Sequence, residues 1–248
     1  MEFNQDHLEE ILIFIADKLA KTTTIYVFGG AVMVYRKMKP ATKDIDILFE
    51  KNSDYHDFIA AAKECGFVTT SIPTDYKQFF LSAMLQNHHT NWRLDLFLRK
   101  VCGKFEFNDD VKKRAILFKV ISNLHIYFIS LEDIMLMKAL TERERDLDDI
   151  RVILGALDFK LALEALEHQK MEYKREILER LLEFEEKQGL RLSIPASLRN
   201  WVAEENEKEW QDLLLKQVKA MLQESKSKEE IMKHFELNEI EWKELLKK

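Results

Sequence analysis

VFGGAVMVYRKMKPATKDIDILFE, residues 27–50, sets two touching glycines ahead of two aspartates spaced two apart. The chain holds only 6 glycines, so a touching pair at the end of the run TIYVF asks for a local reason. β-Branched and aromatic residues make TIYVF a strand. A strand that ends in Gly-Gly before a helix lets backbone approach a ligand and leaves free N–H donors for phosphate oxygens. AVMVYRKM then reads as a short helix stopped by Pro40. DIDILFE alternates acidic and apolar residues with the period of a half-buried strand. Asp44 and Asp46 therefore share one face, with α-carbons about 6.6 Å apart, while Ile45 and Ile47 turn into the core. Aspartate is a poor strand former, and two carboxylates this close repel unless a cation or donors neutralise them. Oxygen-only ligands with room for water suit magnesium, which bridges to substrate phosphates.

WRLDLFL, residues 92–98, supplies a third carboxylate. Alternation puts Asp95 on the face opposite Leu94 and Leu96. Three carboxylates from two strands, facing a glycine turn, suit phosphoryl transfer with two ions about 3.5–4 Å apart that hold the attacking and leaving oxygens.

The remainder is an ordinary globular background. The 248 residues are 46% hydrophobic, 33% charged and 10% aromatic, which excludes a disordered or membrane-embedded chain. A net charge of −6 opposes nucleic-acid binding over the whole surface, although a local basic patch is compatible with it. No apolar run approaches the roughly 18 residues of a spanning helix. MEFNQDHLEEILIFIADKLAK reads as an amphipathic helix with Leu8, Ile11, Leu12 and Ile15 on one side, not as a signal peptide. Cys65 and Cys102 lack metal-ligand spacing, and free thiols fit a reducing cytoplasm.

Along the chain, residues 54–65 suit a helix ending near Gly66. FVTT, YKQFFLSAML and RLDLFLRK are strand candidates, with QNHHTN as the turn between the last two. After Ser130 the pattern is helical, with breaks near Gly155, at 189–195 and near Ser225. Ser130 is an N-cap candidate with Asp133 near the capping-partner position. A helix over 161–188 aligns Leu163, Leu166, Tyr173, Ile177, Leu181 and Phe184. Residues 225–248 read as two short helices capped by Ser227 and Asn238. The expected division is a mixed α/β core at 1–156 and an all-helical domain at 157–248. Lys170, Lys174, Arg175 and Arg191 on the latter are candidates to line an acceptor cleft.

Phe28, Gly29 and Gly30, a helical spacer, Asp44-Ile45-Asp46-Ile47 and a later Asp95 together resemble the signature of the DNA polymerase β-like nucleotidyltransferase superfamily. Residues 131–154, LEDIMLMKALTERERDLDDIRVIL, are similar to the helical segment after the core in uncharacterised and toxin-type (abortive-infection-like) prokaryotic members. There a lysine and an Arg-Asp cluster recur, matched by Lys138, Arg145, Asp146 and Asp149. The Arg-Asp that follows the glycines in CCA-adding enzymes is absent, as is the tryptophan of aminoglycoside nucleotidyltransferases. The resemblance implies an α+β fold, with a mixed sheet and flanking helices followed by an all-helical C-terminal domain. It implies transfer of a nucleoside monophosphate from an NTP, dependent on Mg2+ or Mn2+, to an acceptor, with tRNA or protein favoured and a toxin–antitoxin setting. Its alternatives are a small-molecule, antibiotic-type acceptor and a silent nucleotide-binding regulator. It places Asp44, Asp46 and Asp95 as catalytic metal ligands, and Gly29, Gly30, Thr42 and Lys138 at the nucleotide. Arg145, Asp146 and Asp149 follow as further candidates.

Overall fold

The computed structural model describes residues 4–141 and 143–245. The chain divides into two compact units between Ser193 and Ile194. The first unit opens with α1 (Gln5–Ala16), β1 (Thr23–Phe28), α2 (Gly29–Tyr35), β2 (Ile45–Phe49) and α3 (Asn52–Glu64). β3 (Val68–Thr70), β4 (Ala83–Asn87) and β5 (Trp92–Leu98) follow. A small ribbon of β6 (Lys100–Val101) and β7 (Phe105–Glu106) leads through α4 (Asp109–Arg114) to the hairpin β8 (Ile116–Ile121) and β9 (Leu124–Phe128). The main sheet has seven strands in the order β3-β4-β5-β2-β1-β9-β8. Only the β1–β9 and β2–β5 pairs are parallel.

Alternation along β2 does what its sequence dictates. Ile45, Ile47 and Phe49 are buried, and the Phe49 ring lies 5.4 Å from that of Phe58 on α3. α3 therefore covers the isoleucine face, and the aspartate face looks the other way.

The helical half of this unit comprises α5 (Leu131–Ala139), α6 (Glu144–Leu154), α7 (Phe159–Glu167) and α8 (Met171–Gln188). Ser130 caps α5 as expected, its Oγ accepting from the Asp133 N–H at 3.1 Å and donating to Asp133 Oδ2 at 2.8 Å. α5 is buried nearly all round and packs against α6, α7 and α8.

Three local expectations differ from the structure. Residues 161–188 are not one helix: the chain breaks at His168–Lys170, where Gln169 exchanges two hydrogen bonds with the Glu106 backbone, at 3.0 and 3.3 Å. The first part of the YKQFFLSAML segment is not a strand. Thr74–Phe79 forms a 3-10 helix after Pro73, and β4 begins only at Ala83. The boundary at 156/157 also falls inside the first unit, because α7 and α8 bury Ala162, Ala165, Leu166, Ile177, Leu181 and Phe184 in the packing around α5. Lys170, Lys174 and Arg175 pair with Glu106, Glu167 and Glu179 respectively, so their charges are already engaged.

The second unit consists of α9 (Ala196–Gln223), α10 (Lys228–His234) and α11 (Glu239–Leu245) around Leu214, Val218, Ile231, Trp242 and Leu245. Ser227 forms a reciprocal capping box with Glu230, and Asn238 Oδ1 accepts from Ile240 N and Glu241 N. Trp242 anchors this cluster, whereas Trp210 is exposed. Among the described residues no helix is long and apolar enough to cross a membrane.

Candidate active site

The glycine pair is explained by what lies beside it. Gly29 has a φ of +64°, a left-handed conformation, and a Cβ there would collide with Asp46 Oδ2. At Gly30 a Cβ would collide with Thr42 Oγ1. The two glycines thus let the strand-to-helix turn close directly onto the Asp46 carboxylate and the Thr42 hydroxyl. Thr42 belongs to the same wall, with its Oγ1 donating to the Asp44 carbonyl at 3.2 Å.

Strand register places the other carboxylate. Asp46 sits opposite Phe28 on β1 and opposite Asp95 on β5. Neighbouring strands are about 4.8 Å apart, so Asp46 and Asp95 stand side by side on the face that α3 leaves uncovered. Asp44 lies one residue before β2. The three border a cavity of about 310 Å³ that is also lined by Gly29, Gly30, Thr42, Lys138, Arg145, Asp146 and Asp149. Every residue expected at the metal or the nucleotide therefore lines one cavity, whereas Lys170, Lys174, Arg175 and Arg191 do not.

Burial of the floor, with the Asp95 charge adding to it, pushes Asp46 up to about 7. Burial likewise raises Asp95 to about 6, against the pull of Arg93 and Arg143. Asp95 is 3% exposed, and its Oδ1 is buried without a hydrogen-bond partner. Such an orphaned acceptor costs about 1–3 kcal/mol and marks a place where a ligand would be welcome. Cys102 also lines the cavity, but burial pushes its thiol up to about 12 and keeps it unreactive.

Arg93 is the main residue that the sequence reading missed. Its Nη2 donates to Asp44 Oδ2, to Asp95 Oδ2 at 3.1 Å and to the Tyr76 hydroxyl at 3.2 Å. Its guanidinium lies 4.7 Å from the centre of the Tyr76 ring. A signal for it was available, because Arg93 is two before Asp95 on one strand and shares its face. Tyr76 and Phe79 carried no comparable signal while their segment was read as a strand. Phe79 lies 4.3 Å under the guanidinium of Arg143, whose Nε donates to Asp146 at 2.7 Å.

Lys138 is close to the site but not free. Its Nζ donates to Asp146 Oδ1 at 3.1 Å and Asp149 Oδ2 at 2.5 Å, tying α5 to α6. Lys39 reaches the other oxygen of Asp149, also at 2.5 Å. Burial works to raise Asp146, but Lys138 and Arg143 outweigh it and hold this carboxyl below its usual range. Lys43 and Arg145 remain exposed on the cavity lining, with no ion-pair partner among the described residues.

Among the described residues no three His, Cys, Asp or Glu side chains converge into a ready-made metal cage. Asp44 is turned toward Arg93. The donor set nevertheless fits a hard divalent cation. Asp46 and Asp95 are in register, one oxygen of Asp95 is unsatisfied, and all donors are oxygens. Asp44 would join them once released from Arg93.

Residues 6–188 match the family described as "Nucleotidyltransferase of unknown function (DUF6036)". No curated protein matches the chain. Among solved structures, it is similar to an antigenic nucleotidyltransferase-like protein from Paracoccidioides brasiliensis, with 15% identity, a TM-score of 0.45, and 76% of this chain and 92% of that one covered. It is also similar to JHP933 from Helicobacter pylori, with 12% identity, a TM-score of 0.38, and 84% and 96% covered. The family match takes in the glycine turn, all three aspartates and the α5–α6 pair, and this chain belongs to the DUF6036 nucleotidyltransferases.

Proposed function

We propose that this nucleotidyltransferase uses Mg2+ or Mn2+ to move a nucleoside monophosphate from an NTP to an acceptor and release pyrophosphate. The observation that carries the reading is the in-register pair Asp46 and Asp95 beneath the Gly29–Gly30 turn. Asp46, Asp95 and a released Asp44 would hold the cation, which supplies Lewis-acid neutralisation of the reacting phosphate when bound. The backbone at Gly29 and Gly30 approaches the triphosphate without side-chain obstruction. Asp95 Oδ1, lacking any partner, is the group best placed to hold the acceptor proton. Lys43 and Arg145, cavity cations with no ion-pair partner among the described residues, are the candidates for the polyphosphate. The likeness of residues 131–154 to toxin-type members favours an RNA or protein acceptor and a toxin–antitoxin setting over a small molecule.

Incubation with each α-labelled NTP, magnesium and a cell extract tests the reaction and sorts RNA, protein and small-molecule acceptors by where the label goes. Label in no fraction with any NTP would defeat the reading. The polyphosphate assignment has its own test. Replacing both Lys43 and Arg145 by alanine is expected to weaken NTP binding in calorimetry about tenfold or more, the scale of one charge-assisted hydrogen bond. Unchanged affinity would remove these two residues from the nucleotide site.

A further inference from the structure

The guanidinium of Arg93 stands where the carboxylate cluster demands a positive charge, bridging Asp44 and Asp95. Its side chain is only 20% exposed. The pairing is incomplete on both sides, because Arg93 Nε and Asp95 Oδ1 are each buried without a partner. One positive charge serves two carboxylates, and the hydrogen bonding is incomplete.

We propose that Arg93 is a resident counter-cation that a divalent ion displaces only in company with the nucleotide, so that this one positioning residue couples the two binding events. The proposal rests on the divalent-cation reading of the pocket given above. A divalent ion and the guanidinium would compete for the same two carboxylates, Asp44 and Asp95. Expelling Arg93 with no anion to receive it would leave a partly buried charge unpaired, which is costly. A triphosphate supplies that anion, and a guanidinium matches phosphate geometry with two parallel hydrogen bonds. A free ion therefore binds poorly, and an ion arriving with NTP binds well. By reciprocity the ion tightens the nucleotide by the same factor. Tyr76 provides a stacking surface on which the guanidinium already rests, so the side chain has a support that does not involve the carboxylates.

The test measures Mn2+ binding to the full chain by electron paramagnetic resonance, with and without a non-hydrolysable NTP analogue. The parent is compared with Arg93→Met and Arg93→Lys. Arg93→Met is expected to bind Mn2+ alone about tenfold tighter or more, and the gain from the analogue should shrink by a similar factor. Arg93→Lys, which restores a cation, should move back toward the parent. If Arg93→Met melts below the assay temperature, Arg93→Gln makes the same comparison. Mn2+ affinity that is unchanged or weaker without nucleotide in these neutral variants would overturn the coupling role of Arg93. A parent that binds no Mn2+ even with the analogue would overturn the divalent-site reading on which the proposal stands, and the two failures are told apart by that one measurement.

Discussion

Asp46→Asn is expected to lower nucleotidyl transfer by roughly 10³-fold or more, since a misplaced Lewis acid forfeits several kcal/mol of transition-state stabilisation. The same substitution should leave the fold intact. Ile45 and Ile47 hold β2 in the sheet from its other face, and asparagine fills nearly the same volume. Substantial residual transfer in a folded Asp46→Asn protein would sink the carboxylate assignment.

The metal-free protein should carry a second signature of the same cluster. Asp46 is pushed up to about 7 and Asp95 to about 6, chiefly by burial. Raised carboxyl groups favour the protonated folded form. Their contribution to stability is fully present below pH ~4, the ordinary carboxylate value, and is lost as pH rises through about 7. The melting temperature without divalent ions should therefore fall between pH 5 and pH 8 on this account, and Asp46→Asn should flatten the slope. A parent and variant with parallel melting profiles would mean that the pair is not strained in the metal-free state.

Much of this site was legible before the structure because strand alternation is a strict rule. Once β2 and β5 were recognised, the face of Asp44, Asp46 and Asp95 followed, and so did the burial of Ile45 and Ile47. The glycine pair was legible as a close approach, but not what it approaches. Only the β1–β2 register reveals Asp46 against Gly29. Periodicity failed where the chain bends for tertiary reasons. The break at Gln169 depends on hydrogen bonds to Glu106, 63 residues earlier, which no local pattern encodes. The 3-10 helix at Thr74–Phe79 was hidden by aromatic residues that also suit strands. Ion pairing was the least legible feature. The resemblance placed Lys138 at the nucleotide, whereas its engagement with aspartates depends on the packing of α6 beside α5.

That engagement makes Lys138→Met the substitution with the largest expected effect on stability. Asp146 is 1% exposed and Asp149 7%, and both direct an oxygen at Nζ. Removing the lysine leaves two buried carboxylates facing each other's charge, with Arg143, Thr141 and Lys39 as their remaining partners. Breaking a buried pair from one side costs about 3 kcal/mol, which for a chain of this size lowers the melting temperature by roughly 10 °C. Calorimetry well below that temperature should find NTP affinity reduced less than in the Lys43→Ala/Arg145→Ala double variant, since Lys138 is already saturated by aspartates. Adding Asp149→Asn to Lys138→Met should recover part of the lost stability, because it removes one of the stranded charges and the two residues act as a unit. The reverse pattern, an unchanged melting temperature with a large loss of NTP affinity, would mean that the lysine leaves its aspartates and meets the triphosphate directly.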